Sequence, residues 1–126
     1  MYATDTAKLE KKSFLRPDEQ RIFSKGQVEV IAVGVVTLGR ATLQPGWKWS
    51  TCVKPVAQTE LCEAAHLQFQ LSGRLHLVMQ DGTQIESVAG DVVQIPPGHD
   101  AWVVGKEPVV AIDITGMKNY AKNPTL

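Results

Sequence analysis

The chemistry available to this chain is concentrated in a short stretch that carries a carboxylate, a thiol, an imidazole and two carboxamides: Glu60, Cys62, His66, Gln68 and Gln70. Thiolate, imidazole and carboxylate all bind zinc and other first-row ions. In an extended chain, side chains alternate, so Cys62, Ala64, His66, Gln68 and Gln70 share one face while Leu67, Phe69 and Leu71 share the other. Two arrangements satisfy that pattern. Either the polar face meets solvent and the apolar face is core, or the polar face lines an enclosed cavity and the apolar face packs on another sheet or subunit.

A second imidazole, His99, stands just past Pro96-Pro97-Gly98. Its plainest role is to hold that turn by bonding to Asp100 or to backbone, just as the commonest fate of a free thiol such as Cys62 is that of a small buried hydrophobe. His76 lies between Leu75 and Leu77, faces opposite to both, and reads as a surface or interface residue. Asp113 interrupts the run VVAIDI and needs a partner if it is buried, either an arginine such as Arg74 or Arg40 or a ligand. Trp47, Trp49 and Trp102 suit a core or the walls of a pocket for a planar or apolar small molecule.

These residues need rigid supports, and the pattern around them is one of short strands. Val92, Val93 and Ile95 favour a pleated, half-buried surface. Pro96 and Pro97 lack amide donors, so the ladder stops there, and Gly98 permits a tight reversal into a second strand. Earlier in the chain, Val28 to Leu43 reads as strand, bend at Gly34, and strand. Trp47-Lys48-Trp49 alternates with both indoles on one face, residues 54–59 read as a loop, and Cys62 to Leu71 reads as strand. Arg74 to Gln80 and Thr83 to Val88 flank Asp81-Gly82 as a hairpin. Turn signals recur at short intervals and no long stretch has a 3.6-residue period, which argues for an all-β barrel or sandwich.

A chain of 126 residues is the length of one domain. Its expected parts are a flexible arm over residues 1–13, a β domain over 14–115 and a tail over 116–126. Lys plus Arg and Asp plus Glu are balanced at 13 each, without the basic patch of a nucleic-acid binder. No apolar run is long enough to span a membrane and no signal peptide is visible, so a cytoplasmic protein with free thiols is expected. The patterns GxSxG and CxxC and a phosphate-cradling glycine loop are all missing.

Gly90-Asp91, the following apolar run, Pro96-Pro97-Gly98 and the nearby His99 resemble the second sequence motif of the cupin superfamily, small β-barrels that often hold a metal. The resemblance extends from Ala41 to Thr115 through PGW, LSGRLHLVMQDG and GDVVQIPPG. It implies a single cupin-type β-barrel, a double-stranded β-helix or jelly-roll. Cupin first motifs carry two histidines one residue apart, then a glutamate, then an apolar run ending in a glycine turn. With Leu71-Ser72-Gly73 as that turn, His66 takes the position of the glutamate, and Glu60 and Cys62 take those of the two histidines. In the second motif the family's histidine position falls on Ala101. His99 precedes it by two residues, a displacement that preserves side-chain parity.

The resemblance thus implies a site for a divalent transition metal, zinc, iron or nickel, held by His66, His99 and Cys62 with Glu60 as alternate ligand. Gln68, Gln70, Trp47, Trp49 and Trp102 would wall the adjoining pocket. Two functions compete: a metal-dependent enzyme acting on a small substrate, and a non-catalytic, sensor-like barrel that binds a small molecule beside an eroded metal site. A homodimer is expected in either case, because the apolar row Leu67, Phe69 and Leu71 would otherwise face water.

Overall fold

The computed structural model describes residues 8–114 and 120–121. Nine strands, β1 (Glu19–Phe23), β2 (Gly26–Val33), β3 (Val36–Leu43), β4 (His66–Ser72), β5 (Arg74–Met79), β6 (Gln84–Val88), β7 (Val92–Ile95), β8 (His99–Val103) and β9 (Val109–Asp113), are joined by two one-turn helices, α1 (Trp49–Cys52) and α2 (Lys54–Ala57). Six strands form one sheet in the order β1-β2-β3-β9-β4-β7, and three form a second in the order β6-β5-β8. All pairings within them are antiparallel. The result is an all-β jelly-roll, as expected.

The core lies between the sheets. Val28 and Val30 of β2, Ala41 and Leu43 of β3 and Val109 of β9 face Leu75 and Leu77 of β5 and Ala101 and Val103 of β8. The polar residues of interest sit inside this sandwich, because β4 turns its even-numbered side chains inward. His66, Gln68 and Gln70 are buried, while Leu67, Phe69 and Leu71 are 36%, 41% and 48% exposed. Of the two arrangements the alternation allowed, the enclosed polar face is the one adopted.

Two corners fix the geometry around β4. At Gly73, φ is +78° and an added Cβ would lie 2.5 Å from the Pro108 carbonyl oxygen and 2.8 Å from Val109 Cα, so the corner that takes the chain from β4 in the large sheet to β5 in the small one has no room for a side chain. The Pro96-Pro97-Gly98 corner carries the chain from β7, paired with β4, to β8, paired with β5. It therefore moves the chain from one sheet to the other. His66 stands on the large sheet and His99 on the small one, facing each other across the interior.

Residues 54–59 depart from the loop reading, since Lys54 to Ala57 forms a helical turn that ends at Gln58 with φ 63°. Cys62 precedes β4 and lies outside the named strands, bridged to His99, with Cys62 N–H donating to the His99 carbonyl at 2.9 Å. Residues 1–7 of the expected arm lie outside the described residues, as do residue 115 at the end of the expected β domain and 116–119 and 122–126 of the expected tail. The rest of the arm is anchored through Glu10, which accepts from Gly34 N–H, and Lys12, which pairs with Asp18.

Candidate metal centre

Cys62, His66 and His99 converge between the sheets, with one ligand atom from each lying within 4.8 Å of the others. All three side chains are buried. The bridge between Cys62 and His99 sets the height of the thiol, and the first residue of β4 supplies the imidazole opposite. Cys62 Sγ is 3.7 Å from His66 Nε2. A tetrahedral zinc ion with ordinary Zn–S and Zn–N bonds would separate two such atoms by about 3.6 Å. The donor set therefore fits a first-row divalent ion.

Each imidazole has its other nitrogen already engaged. His66 Nδ1 bonds to Asp113 Oδ2, and His99 Nδ1 donates to the Pro96 carbonyl at 2.7 Å. A ring nitrogen facing a carboxylate or a carbonyl oxygen carries the hydrogen, so in both rings Nε2 is left as the acceptor. Both rings are thus held in the tautomer that metal binding needs, by the kind of outer partner that orients metal-binding histidines. Without a metal, the Cys62 thiol is the group placed to donate to His66 Nε2.

The electrostatics follow from burial. Desolvation pushes the Cys62 thiol up to about 12 and lowers His99 to about 4, with neighbouring His66 adding to the second shift. At neutral pH the thiol keeps its proton and His99 is uncharged. Tyr120 packs edge-on against His66, with ring centroids 5.3 Å apart, and burial raises its phenol well above the ordinary value. Its backbone carbonyl accepts from Arg21 Nη1 at 2.6 Å, which ties this distant residue to β1.

A cavity of about 40 Å³ adjoins the two imidazoles, walled by residues that include Trp47, Trp49, Gln68, Leu75, Leu77 and Tyr120. That volume holds roughly three water-sized particles. A larger hollow of about 320 Å³, between Leu77, Ile85, Val93 and Pro96, touches neither histidine.

The structure brings together His66, His99, Cys62, Gln68, Trp47 and Trp49, and it corrects three other expectations. Glu60 is not near the thiol: its side chain is 91% exposed and pairs with Lys54 at 2.8 Å, because α2 and the loop after it run on the outside. Gln70 is fully buried but does not line the cavity beside the histidines. Its carboxamide donates to the carbonyls of Gly73 and Ser87 and accepts from Ser87 Oγ at 2.6 Å, fastening β4 to β6. Trp102 has the opposite parity to His99 on β8 and lies outside, stacked on His76 with Lys48 over its ring.

Two further residues belong to the site. Asp113, whose charge in an apolar run calls for an arginine or a ligand as partner, bonds instead to His66. Arg40 instead pairs with Glu29, and Arg74 with Glu86. Tyr120 had no signal at all, since it stands in a polar terminal segment.

No family model matches the chain, nor does any curated protein. Solved structures do. A protein of unknown function from Rhizobium leguminosarum bv. viciae 3841 is similar over 86% of this chain and 97% of its own, with 19% identity and a TM-score of 0.58. Oxalate decarboxylase from Bacillus subtilis is similar over 79% of this chain and 27% of its own, with 23% identity and a TM-score of 0.55. The coconut allergen cocosin is similar over 86% of this chain and 32% of its own, with 19% identity and a TM-score of 0.58. This chain thus spans about a third or less of the latter two, both cupin-fold proteins. At these identities the likeness is one of fold, and the chain has the cupin fold.

Proposed function

We propose that this cupin-fold chain binds one divalent transition-metal ion through Cys62, His66 and His99 and uses the adjoining cavity to hold a small molecule. The observation that carries the reading is the pair of imidazoles whose Nδ1 atoms are committed to Asp113 and Pro96 while a thiol completes the triangle. When bound, a divalent ion supplies Lewis acidity and an open coordination position. The chain's own part is to give up the Cys62 proton, to hold both rings in register, and to exclude bulk water with Trp49 and Tyr120. Oxalate decarboxylase has Mn(II) centres, but a set with one sulfur and two nitrogens suits zinc, iron or nickel better than manganese, which prefers oxygen.

The test is a calorimetric titration of chelator-treated protein with zinc, run beside His66→Ala and His99→Ala. The parent should bind one equivalent and each variant should lose most of the affinity. Equal binding by parent and variants removes this site.

One feature favours a binding protein over an enzyme. No carboxylate among the described residues lines the cavity, and Asp113, beside it, is occupied with His66, so among those residues none stands ready for acid or base work on a ligand. Thermal stabilisation by small metabolites in the presence of chelator would support the purely binding version, and stabilisation only with metal present would support metal-dependent chemistry.

We further propose a homodimer that works in the cytoplasm. The exposed row Leu67, Phe69 and Leu71 continues through Val92 on the neighbouring strand and Ile114, and burying such a patch removes it from water. Cys52 and Cys62 are both free, as suits a reducing compartment, and no helix among the described residues is long and apolar enough to cross a membrane. Light scattering at micromolar concentration should give twice the chain mass, and Phe69→Glu should halve it. A monomeric parent ends the proposal.

A further inference from the structure

Trp47 and Trp49 are among the most buried side chains of the protein, and each keeps a polar atom without a partner. Both indole Nε1 atoms are shielded from solvent and meet no acceptor among the described residues. A buried donor left unpaired is costly, and native proteins rarely tolerate two in one place without a reason. Both side chains wall the cavity beside His66 and His99, and so does Gln68, whose carboxamide makes no hydrogen bond to the described residues. Three polar side chains with unused donors therefore surround one small space.

The space limits what can satisfy them. About 40 Å³ accommodates a group of roughly three non-hydrogen atoms. Two indole donors and a metal's open position call for a group with two strong acceptor atoms and several lone pairs. A carboxylate has that size and that acceptor count, whereas a neutral carbonyl compound offers one strong acceptor. Among the described residues no lysine or arginine lines the cavity, and Asp113 lies beside it. The positive charge that would hold an anion must then come from the metal.

We infer that Trp47 and Trp49 are ligand-binding residues whose indole N–H groups, with Gln68, receive a small carboxylate group in the metal-loaded protein. This rests on the metal reading above and goes beyond it in naming the ligand class and its recognition. Apart from the two histidines and Tyr120, the rest of the described wall is apolar, which strengthens the hydrogen bonds to an ionised acceptor and penalises an occupant that cannot use both indoles.

The experiment uses the full chain, labelled with ¹⁵N-tryptophan and loaded with zinc, and titrated with formate at constant ionic strength. Formamide, of the same size but uncharged, is the comparison probe, and single Trp→Phe variants assign the resonances. Before titration, the zinc content is measured. Formate should move the indole N–H resonances of Trp47 and Trp49 downfield along saturable curves and leave Trp102 in place. Trp47→Phe and Trp49→Phe should each weaken formate binding about tenfold, the usual effect of losing one hydrogen bond to a charged group, with zinc affinity unchanged. If a variant fails to fold, the resonance shifts of the parent decide the question alone.

Zinc-loaded protein whose indole resonances ignore formate overturns this inference and leaves the metal site standing. Equal shifts with formamide also overturn it, by removing the need for a carboxylate. Protein that takes up no zinc overturns the metal reading first, and the carboxylate inference with it.

Discussion

Asp113 and His99 show how single residues make this site. The Asp113 carboxylate holds the proton of His66 on Nδ1, so Asp113→Asn should lower zinc affinity ten- to a hundredfold by calorimetry, the usual cost of losing such an outer partner. Undiminished affinity would mean that the tautomer is set elsewhere. His99, lowered to about 4 by burial, is neutral in the fold but titrates at its ordinary value when unfolded. Between those two values the unfolded chain binds more protons, so metal-free stability should fall as pH drops from about 6.5 to about 4, by up to about 3 kcal/mol. His99→Gln should flatten that segment of the urea-derived stability profile. The two glutamines separate by role. Gln70→Ala breaks a buried network and should cost about 2–4 kcal/mol, while Gln68→Ala should stay within about 1 kcal/mol in the same denaturation measurement. Parity puts both on one face and the cupin resemblance turns that face inward, but neither gives distance along the strand, and Gln70 stands far enough on to meet Ser87 instead of the cavity.

At the level of elements, the two sheet-switching corners, at Gly73 and at Pro96-Pro97-Gly98, do most to set the positions of the ligands. Gly90 and Gly73 both have positive φ, but only Gly73 is pressed against backbone. Gly90→Ala should cost about 1–2 kcal/mol from conformation alone, and Gly73→Ala at least about twice that, because the Pro108 and Val109 backbone must move. Equal losses in thermal unfolding would show that the close approach relaxes freely. The strands themselves were legible because valine-rich runs and Gly/Pro punctuation agree with the alternation of buried and exposed positions along β4, β8 and β9. The same alternation, carried from His99 to Trp102, gives that indole the opposite face, against its expected place in the pocket wall. What could not be read was the run from Lys48 to Ser50, where the chain leaves extended geometry for α1. Ser50 N–H donates to Asp100 Oδ1 there, a tertiary contact with no local signature.

The molecule as a whole is a sandwich whose histidine-lined cavity takes part of its wall from a residue far along the chain, Tyr120, held through its carbonyl by Arg21. Its place is set by packing against Phe23 and His66, which local pattern does not encode. Because a metal held between the two sheets would bind only the folded state, it should add stability to the entire domain. At a thousandfold excess over its dissociation constant, zinc contributes about 4 kcal/mol, so removal by chelator should lower Tm by roughly 10–20 °C. The most direct measurement is X-ray absorption at the zinc edge of the loaded protein. We expect one sulfur at about 2.3 Å and nitrogen or oxygen scatterers at about 2.0–2.1 Å, with the sulfur lost in Cys62→Ser. A shell of nitrogen and oxygen alone in the parent would contradict the site described here.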